Sequence, residues 1–184
     1  MSVDSAKNTV AHQFGQRFAV SWGKQGRSRR CTMETVPNYA WKRRMHCTIN
    51  WLPDTGMAFS AETGSGHLLT MDGAPDGGGR NLAPRPMETL LAGAGGCTAY
   101  DVVLILQRGR HDVKGCQVKA TAERAEQDPK VFTKLHLHFT VTGRGVPATA
   151  VERAIALSHE KYCSATVMLG KTAEVTTSFD VVEA

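Results

Sequence analysis

The stretch from Pro86 to Arg108, "PMETLLAGAGGCTAYDVVLILQR", constrains the fold more than any other part of the chain. Its apolar residues Met87, Leu90, Leu91, Ala94, Val102, Ile105 and Leu106 recur at helical spacing, and Gly109 stands where a C-terminal cap belongs. The middle is apolar nearly all round, which predicts a helix buried on every side. With only one other helical pattern in the chain to cover it, such a helix points to a dimer core. Gly93, Gly95 and Gly96 precede Cys97, and each disfavours a helix by roughly 1 kcal/mol relative to alanine. Either another backbone approaches closely there, or the helix kinks and a fresh N-terminus opens at Cys97. In the second case free N–H groups and the positive end of the dipole would favour the thiolate. Otherwise Cys97 is a small buried hydrophobe.

The segments around this helix read as strands. "MHCTINWL", "MAFSAET" and "HLLTMDG" are short alternating or mixed runs separated by turn-prone "PDTG" and "TGSG", the pattern of hairpins. After the glycine- and proline-rich loop "APDGGGRNLAPRP" and the helix come two longer strand patterns, "GCQVKATAERAEQ" and "VFTKLHLHFTVTG". The second alternates at Val131, Thr133, Leu135, Leu137, Phe139 and Val141, and a turn falls at Asp128 and Pro129. A second helix opens at Pro147 and runs through "ATAVERAIALSHEKYC", with Gly170 near its end, and "AEVTTSFDVV" closes the chain as a strand. The order βββ-α-ββ-α-β predicts an α+β domain over residues 45–184 with an antiparallel sheet. At 184 residues and 41% hydrophobic content the chain can bury one core. No apolar run approaches the roughly eighteen residues of a membrane span, so a soluble chain without membrane contact is expected.

The net charge of +5 is unevenly divided. Residues 1–44 hold nine Lys or Arg against Asp4 and Glu34, leaving 13 basic and 15 acidic residues for the remainder. The basicity belongs to an N-terminal extension without sustained periodicity, read as disordered or as lying upstream of the true start. The rest lacks the basic footprint of a nucleic-acid binder. Five scattered cysteines, Cys31, Cys47, Cys97, Cys116 and Cys163, without a secretory signal, fit a reducing cytoplasm. Any disulfide here would be a working bond rather than a staple.

A second cysteine lies in "SHEKYCSATVMLG", with His159 four residues before Cys163 and so on the same face of a continuous helix. Spacing alone does not say whether Cys163 meets Cys97. His159, Cys163 and Cys97 match no common structural-zinc spacing, and no CxxC is present, so neither a metal nor another cofactor is expected. His136 and His138 alternate on one strand face, read as an exposed pair rather than a copper or zinc site, while Cys47 and Cys116 sit in strand patterns and are read as structural. "GGGR" at 77–80 lacks the lysine and the strand-to-helix setting of a phosphate loop.

"RPMETLLAGAGGCTAYDVV" followed by "SHEKYCSATVML" resembles the OsmC/Ohr superfamily of thiol-dependent peroxidases, most closely its YhfA-like branch. The resemblance spans roughly Met45 to Ala184. It implies an interlocked homodimer whose central helices are wrapped by both subunits, with Cys97 as the peroxidatic cysteine and Cys163 as the resolving one. It further implies a hydroperoxide substrate and an external dithiol reductant, in the family typically lipoyl-bearing. In the peroxidase branches a glutamate ten residues before the cysteine, together with an arginine from an early loop, polarises the sulfur. Here Met87 stands at the first position, Glu88 one step later is the candidate carboxylate, and "PDTGMAFSAETGSG" holds no arginine. Arg80 and Arg85 are the candidate replacements. Arg85, Met87 and Tyr100 form the candidate substrate pocket, although for Tyr100 and Tyr162, each near a cysteine, core packing with the hydroxyl at the rim is the more common use. Asp101, one turn after Cys97, would oppose thiolate formation if it faced the sulfur in charged form.

Three readings follow. The leading one is a peroxidase reducing organic hydroperoxides to alcohols through a Cys97 sulfenic acid, for oxidative-stress defence. The alternative is a redox sensor or small-ligand binding protein of the same fold without efficient turnover. The third is a structural dimer with no catalytic thiol.

Overall fold

The computed structural model describes residues 45–184; the basic extension of residues 1–44, with Cys31, lies outside the described residues. Strands β1 (Cys47–Leu52), β2 (Ala58–Thr63) and β3 (Leu68–Met71) form one antiparallel three-stranded sheet. Helix α1 spans Pro86–Arg108 and leads into the long hairpin β4 (Asp112–Arg124) and β5 (Phe132–Arg144). Helix α2 (Ala148–Leu157), a π-helical turn (Ser158–Tyr162) and helix α3 (Ser164–Leu169) then carry the chain to β6 (Glu174–Glu183).

The single antiparallel sheet expected from the sequence is thus two sheets, and β6 runs parallel to β5. The helical crossover explains this, because it returns the chain to the end of β5 from which a parallel strand must start. The second helix is also broken. Its last turns relax into the π-helical turn, and Cys163 adopts an extended conformation (φ −76°, ψ 96°) before α3 begins.

Alternation on β5 holds from Leu135 onward but not at Val131 and Thr133, which are exposed while Phe132 is buried, because the strand pairing shifts register by a bulge at Glu123 and Arg124. Leu135, Leu137, Phe139 and Val141 point into a core shared with Val102 and Leu106 of α1 and with Val151, Ala154 and Ile155 of α2. His136 and His138 take the opposite face, where Ser178 Oγ lies 3.0 Å from His136 Nε2 and 2.8 Å from His138 Nδ1. Asp180 and Thr176 meet the outer ring nitrogens at 3.2 and 2.8 Å.

Helix α1 runs unbroken through all three glycines, so no new N-terminus opens at Cys97. Pro86 occupies the first turn, and Glu88 accepts the Arg85 N–H at 2.9 Å. At the other end Gly109 keeps φ −73°, and Arg110 takes the left-handed conformation instead (φ 62°). By length and composition α1 could cross a membrane, with a window of mean hydropathy 1.6, contrary to the expectation that no segment reaches that threshold. Its contacts are those of a core helix: it packs on β4, α2 and α3, and buries Ala94, Thr98, Val102 and Leu106. Only that face is covered. Leu90 and Tyr100 are 47% and 68% exposed, because one sheet and two short helices cannot enclose a 23-residue helix. Gly95 packs on Val118 and Ala120 of β4, whereas a methyl group at Gly93 or Gly96 would meet nothing in the chain within 4 Å.

The loop before α1 is organised by one fully buried carboxylate. Asp72 accepts the N–H groups of Gly73 (2.7 Å), Arg80 (3.0 Å) and Leu82 (3.0 Å). The Leu82 N–H above all, against the opposing effect of burial and with help from Arg80 and Gly73, holds its pKa below the ordinary value of 3.8. A carboxyl with a depressed folded pKa stabilises above its unfolded value and loses that contribution as pH falls through the folded one. Asp72→Asn is therefore expected to lower the Tm at pH 7, with the gap to wild type narrowing only below about pH 3.8. An unchanged Tm at pH 7 would show that the carboxylate does not hold this loop.

Candidate functional site

Cys97 occupies the middle of α1 with Asp101 one turn later, and Cys163 sits fully buried at the break between the π-helical turn and α3. The fold brings these three side chains together, so that both sulfurs and a carboxylate oxygen of Asp101 all lie within 4.8 Å of one another. Residues 66 positions apart in sequence become neighbours because α2 and the π-helical turn cross the covered face of α1. The π-helical turn, a feature frequent at functional sites, and the extended Cys163 re-aim the chain so that this sulfur faces α1.

Burial, the neighbouring Cys163 thiol and the charge of Asp101 push the Cys97 pKa above its ordinary value of 9.0. The one opposing influence is a backbone N–H, and it comes from Ala165 in the first turn of α3 rather than from α1 itself. This reverses the expected activation by a local helix start. Asp101 opposes the thiolate as anticipated.

Sequence reasoning missed the polar support beneath the sulfurs. Ser158, fully buried, donates to Asp101 Oδ2 at 3.0 Å, and its hydroxyl is 2.9 Å from that of Thr98, itself buried. A threonine in the middle of α1 and a serine 60 residues later at the start of the π-helical turn carry no local signal of this pairing. His159, expected to share a helical face with Cys163, does not join the group, because the π-helical turn and the break at Cys163 end that periodicity. Its Nδ1 is buried without a hydrogen-bond partner.

The other candidates lie elsewhere in the chain. Glu88 is held at the N-terminus of α1 by the Arg85 N–H, about 13 Å along the axis from Cys97 at 1.5 Å per residue. Arg85, Met87 and Glu88 border an open groove of about 430 Å³ with Asp72, Leu91 and Phe132, and neither cysteine lines it. Arg80 is exposed. Tyr100 and Tyr162 are 68% and 51% exposed, which corrects the core-packing reading of both. Cys47 is exposed, and Cys116 is half-buried, with its thiol pushed up by burial.

The model of the family described as OsmC-like protein matches residues 77–178. Protein YhfA of Escherichia coli strain K12 is 49% identical over 140 residues, which cover 76% of this chain and all of that protein. A hypothetical protein from Aquifex aeolicus VF5 has a crystal structure similar to this one, with 27% identity and a TM-score of 0.66 over 77% of this chain and 98% of that one. The organic hydroperoxide resistance protein OsmC of Legionella pneumophila covers 74% of this chain and 96% of its own at 17% identity, with a TM-score of 0.56. At that identity the likeness is one of fold.

Proposed function

The chain belongs to the OsmC-like family, and from that premise we propose that it is a thiol-dependent peroxidase that reduces organic hydroperoxides, with Cys97 as nucleophile and Cys163 as resolving thiol. The observation that carries the reading is the meeting of two thiols, one half-buried and one fully buried, whose sulfurs come within 4.8 Å of each other across two elements. Cys97, as thiolate, attacks the terminal oxygen of the hydroperoxide. The O–O bond breaks, the alkoxide takes up a proton and leaves as alcohol, and Cys97 becomes a sulfenic acid. The Cys163 thiol condenses with it, releasing water and forming a disulfide. An external dithiol, of lipoyl type in this reading, returns both cysteines to thiols by exchange. Free cysteines at 47, 97, 116 and 163 are in keeping with a reducing, cytoplasmic setting. The organic hydroperoxide resistance named for the Legionella relative supports the substrate class.

A second reading, a redox sensor or ligand-binding protein without rapid turnover, is favoured by one observation. Asp101 faces the sulfur and Glu88 does not, the reverse of what a fast thiolate needs. Stopped-flow mixing of the reduced protein with cumene hydroperoxide decides between them. Consumption far faster than by a free thiol, lost in Cys97→Ser, is the expected result; consumption indifferent to Cys97 would leave the second reading standing.

The working unit in this proposal is a homodimer built on the uncovered face of α1. That face is supported by the exposed apolar side chains Leu90 and Tyr100, and β1–β3 add Ile49, Trp51 and Leu68 at 52%, 55% and 76% exposure. Alanine at Gly93 and Gly96 discriminates. In the isolated chain each change should stabilise α1 by about 1 kcal/mol, since nothing lies within 4 Å of either position. If a second copy packs there, the double variant is expected to shift sedimentation toward monomer and to lower the Tm. A dimer that tolerates both alanines would place the interface elsewhere.

A further inference from the structure

We infer that the reduced Cys97 and Cys163, together with the Asp101 carboxylate, form a binding site for a thiophilic divalent cation of the zinc type. The three ligand atoms lie within 4.8 Å of one another. A tetrahedral zinc ion with Zn–S near 2.3 Å and Zn–O near 2.0–2.2 Å holds its ligands roughly 3.5–3.8 Å apart, so small side-chain rotations close the site. Cys97 and Asp101 are spaced i, i+4 on one rigid helix, and Cys163 approaches from a separate element. That places three ligands around a common centre and leaves a fourth position for water or an incoming group.

The surroundings are those of a supported metal site rather than a chance cluster. The Asp101 carboxylate is oriented through Oδ2 by the fully buried Ser158 hydroxyl, which is itself in contact with Thr98, and no hydrogen bond among the described residues engages Oδ1. Outer hydrogen bonds of this kind set the angle of a ligating carboxylate. Two thiolates and a carboxylate in so small a volume repel one another, and a divalent cation is the occupant that allows all three to carry charge together. Sequence spacing hides the set, because it contains no CxxC and recruits an aspartate in place of His159.

Binding at this site is separate from peroxide reduction. The link between the two rests on the proposed function, and it makes them exclusive. A cation held by both sulfurs engages the lone pairs that would attack a hydroperoxide. When the two sulfurs give two electrons to the hydroperoxide and two protons are taken up, the products are the disulfide, an alcohol and water. Both sulfur ligands are lost and the ion departs.

Cobalt(II) added to the reduced full-length chain supplies the test. The expected result is one ion per chain, a thiolate-to-cobalt charge-transfer band, release of two protons at neutral pH and displacement by zinc. The band should vanish in Cys97→Ser and in Cys163→Ser, persist when Cys31, Cys47 and Cys116 are all serine, and need about 10- to 100-fold more cobalt in Ser158→Ala. In wild type, zinc should slow iodoacetamide labelling of the half-buried Cys97 but not of the exposed Cys47, as mapped by mass spectrometry, a readout that needs no variant to fold. A band that survives loss of either cysteine, or labelling of Cys97 unaffected by zinc, overturns the site. None of these readouts involves peroxide, so failure of the peroxidase reading leaves them intact.

Discussion

Serine in place of Cys163 is expected to leave the first oxidation of Cys97 intact while lowering dithiol-driven turnover on the order of a thousandfold, the scale on which single members of a catalytic unit act. The reason is geometric. Cys163 is fully buried with its sulfur within 4.8 Å of that of Cys97, so it meets a nascent sulfenic acid before any external thiol can. A serine oxygen occupies nearly the same place and cannot form the disulfide. Intact mass after one equivalent of cumene hydroperoxide should show a gain of one oxygen atom on the Cys163→Ser chain. Wild type should instead lose two hydrogens, and excess peroxide should carry the variant on to sulfinic acid. Because the Cys97 pKa lies above 9.0, the rate of that first step should keep rising with pH through the neutral range. Full turnover retained in Cys163→Ser would mean that the reductant acts directly on the sulfenic acid and that the buried thiol has another task.

Truncating Phe139 to alanine should destabilise the domain by about 3–5 kcal/mol, a large part of the roughly 5–15 kcal/mol that holds a typical domain together. Phe139 is wholly inaccessible at the centre of β5, in the cluster formed by α1, α2 and its own strand neighbours. Paired with Val118 on β4 and Phe179 on β6, it sits where the three strands of the second sheet meet the helices. Urea unfolding at fixed protein concentration gives the measurement, with His138→Ala as the neighbouring control on the solvent face. A loss below about 1 kcal/mol would show that the site collapses around the truncation or that the core is anchored elsewhere.

The sequence reading succeeds where the signal is local and periodic. The helical spacing from Met87 to Leu106 marks α1, and the alternation from Leu135 to Val141 marks the buried face of β5. It fails where two distant segments decide the outcome. The parallel placement of β6 depends on where the crossover delivers the chain, and the break at Cys163 depends on the packing of Ser158 and Thr98. The glycines mislead for a related reason: propensity argues for a kink, but the packing of α1 on β4 and on the later helices keeps it continuous. Cys97 and Cys163 are named from a family resemblance rather than from spacing. Asp101 is legible from its i, i+4 spacing to Cys97, whereas Ser158 and the Ala165 N–H emerge only from the three-dimensional arrangement.

The two cysteines stand on unequal footings. Cys97 is fixed in the middle of a continuous 23-residue helix, while Cys163 is the joint between a loosened turn and a helix of six residues. Any pull between the sulfurs is therefore expected to be taken up by the weaker side, at α3. Its outer residues Val167 and Met168 are 43% and 67% exposed. In the proposed cycle, disulfide formation at the hidden sulfur is therefore expected to be felt first at this patch of apolar surface.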